Sequence, residues 1–441
     1  CYKLERDAIR AITPNIPITT NFMGTFPHLD YRAWAQEVDV IAWDCYPWPK
    51  AYPGDIAFLH DLNRGLKDGQ PFMLMEQTPS SQNWQPVNAL KRPGILRLWS
   101  YLAVAHGADT VMYFQWRRGR GGSEKFHGAV VEHSGRNDTR VFREVSELGA
   151  ELERLGDTTI GAVTPARVGV LFDWNNWWAI DAAVGPINPK NYVEFVRKHY
   201  AALWRKNVPI DIIFSDSDLG RYDLVIAPML YLVKPGLAER IEQWVQSGGT
   251  FVATVFSGVA DETDLAFEGY PGPFKQVLGI RVEEIDALYP EQHNQIVMAD
   301  GSGSYSCANL CDIVYAEGAQ VLATYGEDFY AGTPVVTENS FGQGRAYYIA
   351  TDAEASFLDD FYGHLLEAQG ITPLLPTPTG VEVTLRATEQ RRLLFVLNHN
   401  AEATQVPLPE GQRFRDHLGA GPVGSTLDLP PYGVSILEVQ E

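Results

Sequence analysis

Glu76 closes an apolar run of strand length, Pro71-Phe72-Met73-Leu74-Met75-Glu76-Gln77-Thr78-Pro79, and a Thr-Pro turn follows it. In (β/α)8 barrels the reacting groups sit at the carboxyl ends of strands. A glutamate placed there can be a nucleophile, a general acid or a metal ligand. The plain alternative is an exposed loop carboxylate. The surroundings favour chemistry. Trp84 follows Glu76 closely, and a second apolar run, Thr110-Val111-Met112-Tyr113-Phe114-Gln115-Trp116, leads into Arg117-Arg118-Gly119-Arg120-Gly121-Gly122-Ser123-Glu124-Lys125-Phe126-His127-Gly128. That loop, rich in glycine and charge, would sit over the same mouth and brings Glu124 and His127 with it.

The elements that must hold these groups alternate between strand and helix. A helix from Tyr2 to Ile12 ends at Thr13-Pro14. Pro17–Phe22 reads as a strand, Asp30 as the N-cap of a short helix to Glu37, and Val38–Asp44 as a second strand running into Cys45-Tyr46-Pro47. Asp44 and Tyr46 therefore also fall at a strand end and are candidate pocket-lining residues. A helix from Ile56 to Leu66 precedes the Glu76 strand, one from Pro93 to Ala105 precedes the strand through Phe114, and a last one runs from about Asn137 to Leu155. Buried parallel strands read as continuous apolar runs and need helical crossovers. Four such units predict half of an eight-stranded barrel over residues 1–157.

The pattern resets near Gly156-Asp157. Val168–Phe172, Val208–Ile213, Tyr222–Pro228, Gly249–Thr254 and Gly344–Ala350, with helices Tyr192–Lys206 and Pro235–Ser247, predict a doubly wound α/β domain of the Rossmann or amidotransferase-like kind over 158–374. Pro373, Pro376 and Pro378 mark a linker. The runs Val381–Leu385, Arg392–Leu397 and Gly433–Val439 then predict a small antiparallel β-sandwich over 375–441. The whole chain is thus α/β, ending in a small all-β part.

Composition narrows the partners. A net charge of −20 argues against nucleic acid and against an anionic membrane. No apolar run reaches membrane-spanning length. Six of the 11 Trp (34, 43, 48, 84, 99 and 116) precede residue 120, a density that suits stacking on sugar faces as well as plain packing. The four cysteines, Cys1, Cys45, Cys307 and Cys311, are too few for a disulfide framework. Cys307 and Cys311 lack a second pair of ligands for zinc, so free thiols in a cytoplasmic protein are the reading, with no metal and no cofactor. Phe341-Gly342-Gln343-Gly344-Arg345 precedes a strand instead of following one, which makes it a hairpin turn and not a nucleotide loop. Asp173-Trp174-Asn175-Asn176-Trp177-Trp178 stands at a strand end, open to both ligand contact and local packing. His28, His106 and His199 carry no recognisable spacing and read as solvent or core residues.

Seven pieces taken together resemble one family: Thr19-Thr20-Asn21-Phe22-Met23-Gly24, Trp43-Asp44-Cys45-Tyr46-Pro47, Met75-Glu76-Gln77-Thr78-Pro79, Asn83-Trp84-Gln85-Pro86, Leu98-Trp99-Ser100-Tyr101, Phe114-Gln115-Trp116-Arg117 and Glu124-Lys125-Phe126-His127-Gly128. They look like the family 42 glycoside hydrolases, retaining β-galactosidases. The resemblance implies the second half of a catalytic TIM barrel, a trimerisation domain and a small β domain. It implies that Glu76 is the nucleophile, that Trp84 lines the galactose site, and that Glu124 and His127 hydrogen-bond sugar hydroxyls. A galactoside substrate and a homotrimer follow from the same resemblance. The acid/base glutamate of the family follows an asparagine on the fourth barrel strand, which would lie ahead of Cys1. The sugar-gripping arginine of an early strand and the cysteines of the metal cluster would lie there too. The chain, which opens without an initiator Met, reads as a fragment or processed piece. Two alternatives stay open: a catalytically silent fragment with an assembly role, and another retaining glycosidase such as an arabinosidase or a fucosidase.

Overall fold

The computed structural model describes residues 1–419 and 421–440. Its first sheet has four strands, β1 (Asn21–Phe22), β2 (Ala42–Asp44), β3 (Phe72–Glu76) and β4 (Ala108–Val111), in that spatial order and all parallel. Helices α1 (Tyr2–Arg10), α2 (Tyr31–Ala35), α3 (Pro53–Gly65), α4 (Ile95–Ala105) and α5 (Arg140–Leu155) accompany them. Asp30 caps α2 as expected, accepting from the Ala33 N–H at 3.0 Å. The alternation of strand and helix is as the sequence predicts, but the strands are shorter.

Two shortenings have identifiable causes. The segment from Pro17 cannot pair along its length, because proline has no N–H and the Ile18 N–H is taken by the Asp39 carboxylate at 2.6 Å. β4 stops at Val111, and Phe114 turns into the mouth of the sheet instead of continuing the ladder. α5 begins at Arg140, not Asn137, because Thr139 accepts from the Phe142 N–H and fixes the start there. α1 ends at Arg10, two residues before the predicted end.

The second sheet is larger than the sequence suggests. Its parallel part runs Gly344–Ile349, Thr250–Thr254, Leu224–Ala227, Val168–Leu171, Ile210–Ile213. Five antiparallel strands between residues 280 and 341 extend it, and Phe341 pairs with Gly344 in the predicted hairpin. The Asp173–Trp178 segment forms the start of helix α6 (Trp174–Ala182), capped by Asp173. Trp174 is buried and donates to the Phe26 carbonyl at 2.9 Å, and Trp178 donates to that of Pro27 at 2.6 Å. Within the chain the motif therefore docks the second region on the loop that follows β1. Helix α7 (Tyr192–Trp204) follows it. The last residues form antiparallel sheets of five and two strands with a separate apolar core, including Val383, Leu394, Val396, Phe414 and Leu437. Among the described residues no helix is long and apolar enough to cross a membrane.

One buried polar network ties the three regions together. His106, just after α4, donates from Nδ1 to Asp61 of α3 and from Nε2 to Glu382 of the C-terminal sheet, each at 2.7 Å. Tyr200 of α7 donates to Asp61 at 2.6 Å, while Trp204 and His399 reach Glu382 at 2.7 and 2.8 Å. An imidazole held between two carboxylates uses both nitrogens as donors and is therefore an imidazolium. Burial opposes that charge, but Asp61 and Glu382 outweigh it and push the His106 pKa up to about 9. The carboxyl of Glu382 is correspondingly held well below its usual range.

A folded pKa above the unfolded one gives stability that is complete below about pH 6.5 and is lost as pH rises through about 9. His106→Gln should therefore cost on the order of 3 kcal/mol at neutral pH and progressively less above pH 9. Thermal melts of both proteins across that range check this. A deficit that stays constant with pH would mean that His106 carries no charge.

Candidate active site

The carboxyl ends of β1 to β4 open into a cavity of about 570 Å³ lined by Met23, Asp44, Tyr46, Glu76, Trp84, Phe114 and Glu124. The local sequence explains the gathering. β3 is an apolar strand whose last residue is Glu76, so its carboxylate leaves the core where the strand ends. The β2–β3 register pairs Ala42 with Met73 and Trp43 with Leu74, then slips by one residue and pairs Asp44 with Glu76. Such a bulge re-aims side chains, and here it sets two carboxylates side by side.

Glu76 is held from two directions. The Tyr46 hydroxyl donates to Oε2, and the Asn21 amide donates to Oε1 at 3.3 Å. The same Asn21 nitrogen lies 3.0 Å from each oxygen of Asp44. Burial raises the Asp44 pKa, the Glu76 charge raises it further and the Asn21 hydrogen bonds pull it back, leaving it at about 6. Burial and the adjoining Glu76 carboxylate push the Tyr46 phenol far above its ordinary value, so it remains a donor.

The turn after Glu76 is braced from below. Buried Lys91 donates to the Thr78 carbonyl and to Gln77 Oε1 at 3.4 Å, and Gln82 donates to the Tyr46 carbonyl. Burial lowers the Lys91 pKa to about 7.

Trp84 is half exposed, and Glu124 is exposed on a short 3-10 turn, Ser123–Phe126. His127 follows that turn and is fully buried. Its ring lies 5.2 Å from Trp84, 5.2 Å from Phe114 and 5.8 Å from Tyr46, three residues that line the cavity. Nδ1 is 2.9 Å from the Gly128 carbonyl, and Nε2 has no partner among the described residues. A buried ring nitrogen without a partner calls for one.

The structure thus brings Asp44, Tyr46, Glu76, Trp84 and Glu124 around one cavity and sets His127 behind its aromatic wall. Asn21, Met23 and Phe114 are site residues that motif reasoning passes over, although each lies inside one of the quoted pieces. For Asn21 the available signal is its place near the carboxyl end of the predicted strand Pro17–Phe22. His106 and His199 are core residues, the latter 2.6 Å from the Tyr362 hydroxyl. Cys307 and Cys311 are both buried and unbridged. Among the described residues no three His, Cys, Asp or Glu side chains converge as a metal site.

Comparison with known proteins decides the family. Residues 1–155 match the β-galactosidase family, 166–372 the β-galactosidase trimerisation domain and 380–438 the β-galactosidase C-terminal domain. The chain belongs to glycoside hydrolase family 42. It is similar to β-galactosidase BgaP of Planococcus sp. (strain L4), 52% identical over 99% of this chain and 65% of that protein. It is 45% identical to β-galactosidase Pbg of Clostridium perfringens over 99% of this chain and 66% of the relative. The crystal structure of the β-galactosidase from Bacillus circulans sp. alkalophilus superposes with a TM-score of 0.98 at 52% identity, covering all of this chain and 66% of that one. The family 42 chain described here thus spans about 65% of the length of the curated relatives it matches.

Proposed function

We propose that this chain carries the nucleophile side of a retaining β-galactosidase that removes terminal non-reducing β-D-galactosyl residues by double displacement. The observation that carries the reading is Glu76 at a strand end, held by Tyr46 and Asn21 and facing a cavity walled by Trp84 and Glu124. In this reading the four parallel strands are the second half of a (β/α)8 barrel, with boundaries near 157 and 374. A retaining glycosidase attacks the anomeric carbon with one carboxylate while a second carboxyl protonates the leaving oxygen and later activates water. The Glu76 carboxylate is the attacking group. The family resemblance assigns the second carboxyl to a strand outside residues 1–441. Trp84 offers an indole face to the apolar side of the sugar, and Glu124 and the free Nε2 of His127 are poised for its hydroxyls. The whole protein acts as a homotrimer assembled through residues 166–372 and works in the cytoplasm.

Removing Glu124 or His127 should cost roughly 1–3 kcal/mol of transition-state binding, because each hydrogen bond to a hydroxyl is worth that much. The loss should shrink on galactosides lacking the contacted hydroxyl; equal losses on both substrates would count against the role. A panel of aryl galactosides, arabinosides and fucosides tests the sugar itself. Preference for another glycoside would transfer the mechanism to a different substrate, and inactivity on every member would favour a purely assembling role. Light scattering of the whole protein at micromolar concentration should give a trimer; a strict monomer would remove the assembly claim.

A further inference from the structure

Asp44 is not needed as the nucleophile, and it cannot serve as the flanking acid. Acid and nucleophile stand on opposite sides of the scissile bond. Asp44 and Glu76 instead stand side by side on adjacent strands and approach the same amide nitrogen. Yet the fold goes to some length to put them there. A slip in the β2–β3 ladder brings Asp44 opposite Glu76, and β1 opens on Asn21, whose amide reaches both. Two like charges this close repel, and a single neutral amide offsets only part of that repulsion.

We propose that Asp44, Asn21 and Glu76 work as one unit, in which the Asp44 carboxylate holds negative charge beside the reacting carbon and, through the Asn21 amide, fixes the orientation of the nucleophile. This inference rests on the galactosidase reading above. The repulsion in the free enzyme is relieved when Glu76 gives up its charge to the new C–O ester bond. The electron pair of Glu76 forms that bond while the old glycosidic bond breaks and its electrons leave with the aglycone oxygen. The positive charge that develops on the sugar ring in between meets two carboxylates, not one. Asp44 is a positioning and electrostatic residue in this scheme and exchanges no bond.

The groups facing Asp44 are neutral except for Glu76, and the Glu124 carboxylate lies beyond Tyr46. The facing groups are Asn21 of β1, Glu76 of β3, Tyr46 and Cys45 of its own strand end and Tyr31 of α2. Among them only Asn21 and Glu76 oppose one another in their effect on Asp44: the amide favours its ionised form and the glutamate disfavours it.

The test uses full-length enzyme and 2,4-dinitrophenyl β-galactoside, whose leaving group departs without protonation, so that the other catalytic carboxyl drops out of the rate. For Asp44→Asn, the acidic limb of kcat/KM should move down, because the Asp44 carboxyl, whose raised pKa of about 6 sets that limb, is gone. The plateau should fall roughly 10-fold or more. For Asn21→Ala, the acidic limb should move up, because the shared donor is gone. Opposite displacements are what a merely structural role would not produce. An unmoved acidic limb in both variants, or displacement in the same direction, would overturn the proposal. Labelling by a fluorinated galactoside separates the two readings: label on Glu76 in all three proteins keeps the nucleophile whatever happens to Asp44.

Discussion

Glu76→Gln in the full-length enzyme should lower kcat by on the order of 10⁴-fold and leave the fold intact. The amide occupies the volume of the carboxylate; its one carbonyl oxygen accepts from the Asn21 amide, and its NH2 donates to the Tyr46 hydroxyl, whose oxygen can accept. What it cannot do is supply a charged oxygen to the anomeric carbon, and no other carboxylate of the cavity has that reach with the same support. Asp44 is tied through Asn21, and Glu124 is exposed on a loop. Incubation of the wild-type protein with a 2-fluorogalactoside bearing a good leaving group should leave a galactosyl ester on Glu76, found by mass spectrometry of the peptide Pro71–Pro79. Label on Asp44 or Glu124 would reassign the nucleophile, and a Glu76→Gln protein with undiminished turnover would remove it from the chemistry.

What the sequence disclosed and what it withheld follow from the same physics. Glu76 was legible because an apolar run that ends on a carboxylate leaves little choice about where the side chain goes. Glu124 and His127 were legible through the spacing of a quoted piece, but their surroundings were not: one is exposed and the other is buried against Trp84, Tyr46 and Phe114. Nothing local in Glu124-Lys125-Phe126-His127 encodes that difference, since it depends on which ring of a distant loop closes over the imidazole. Asn21 and Asp44 depend on register. Their meeting with Glu76 requires the slip between Trp43 and Asp44, a property of the paired strands and of neither alone. His106 is the sharper case. Its partners Asp61 and Glu382 are 45 and 276 residues away, so no motif could have joined them. The five added strands of the second sheet escaped notice for a related reason. Their alternating burial, as in Asn294–Met298, makes half-polar segments that read as loops until a neighbour supplies the ladder.

A polypeptide restricted to residues 1–441 should show no galactosidase turnover, even with Glu76 in place. The first sheet is the reason. Its order is β1-β2-β3-β4, so β1 pairs only with β2 and β4 only with β3, and both outer edges lack a strand neighbour among the described residues. Unpaired edges expose hydrogen-bonding groups and invite pairing with another chain. A barrel interior is filled by layers of side chains from alternate strands, and half a barrel supplies half of each layer. In the proposed two-half barrel, the other half would close the cavity opposite Glu76, where a retaining mechanism needs its second carboxyl. Without that group a poor leaving oxygen departs unprotonated, and water at the intermediate has no base. Asp44 cannot stand in, because it shares the nucleophile's side of the cavity. The measurement is turnover of a β-galactoside with a poor leaving group by a purified sample whose intact mass shows only residues 1–441, followed by the same assay after addition of the remaining barrel segment of a relative. Turnover should appear only in the second case. Robust turnover in the first would place the acid/base group inside this chain and overturn the assignment of two barrel halves.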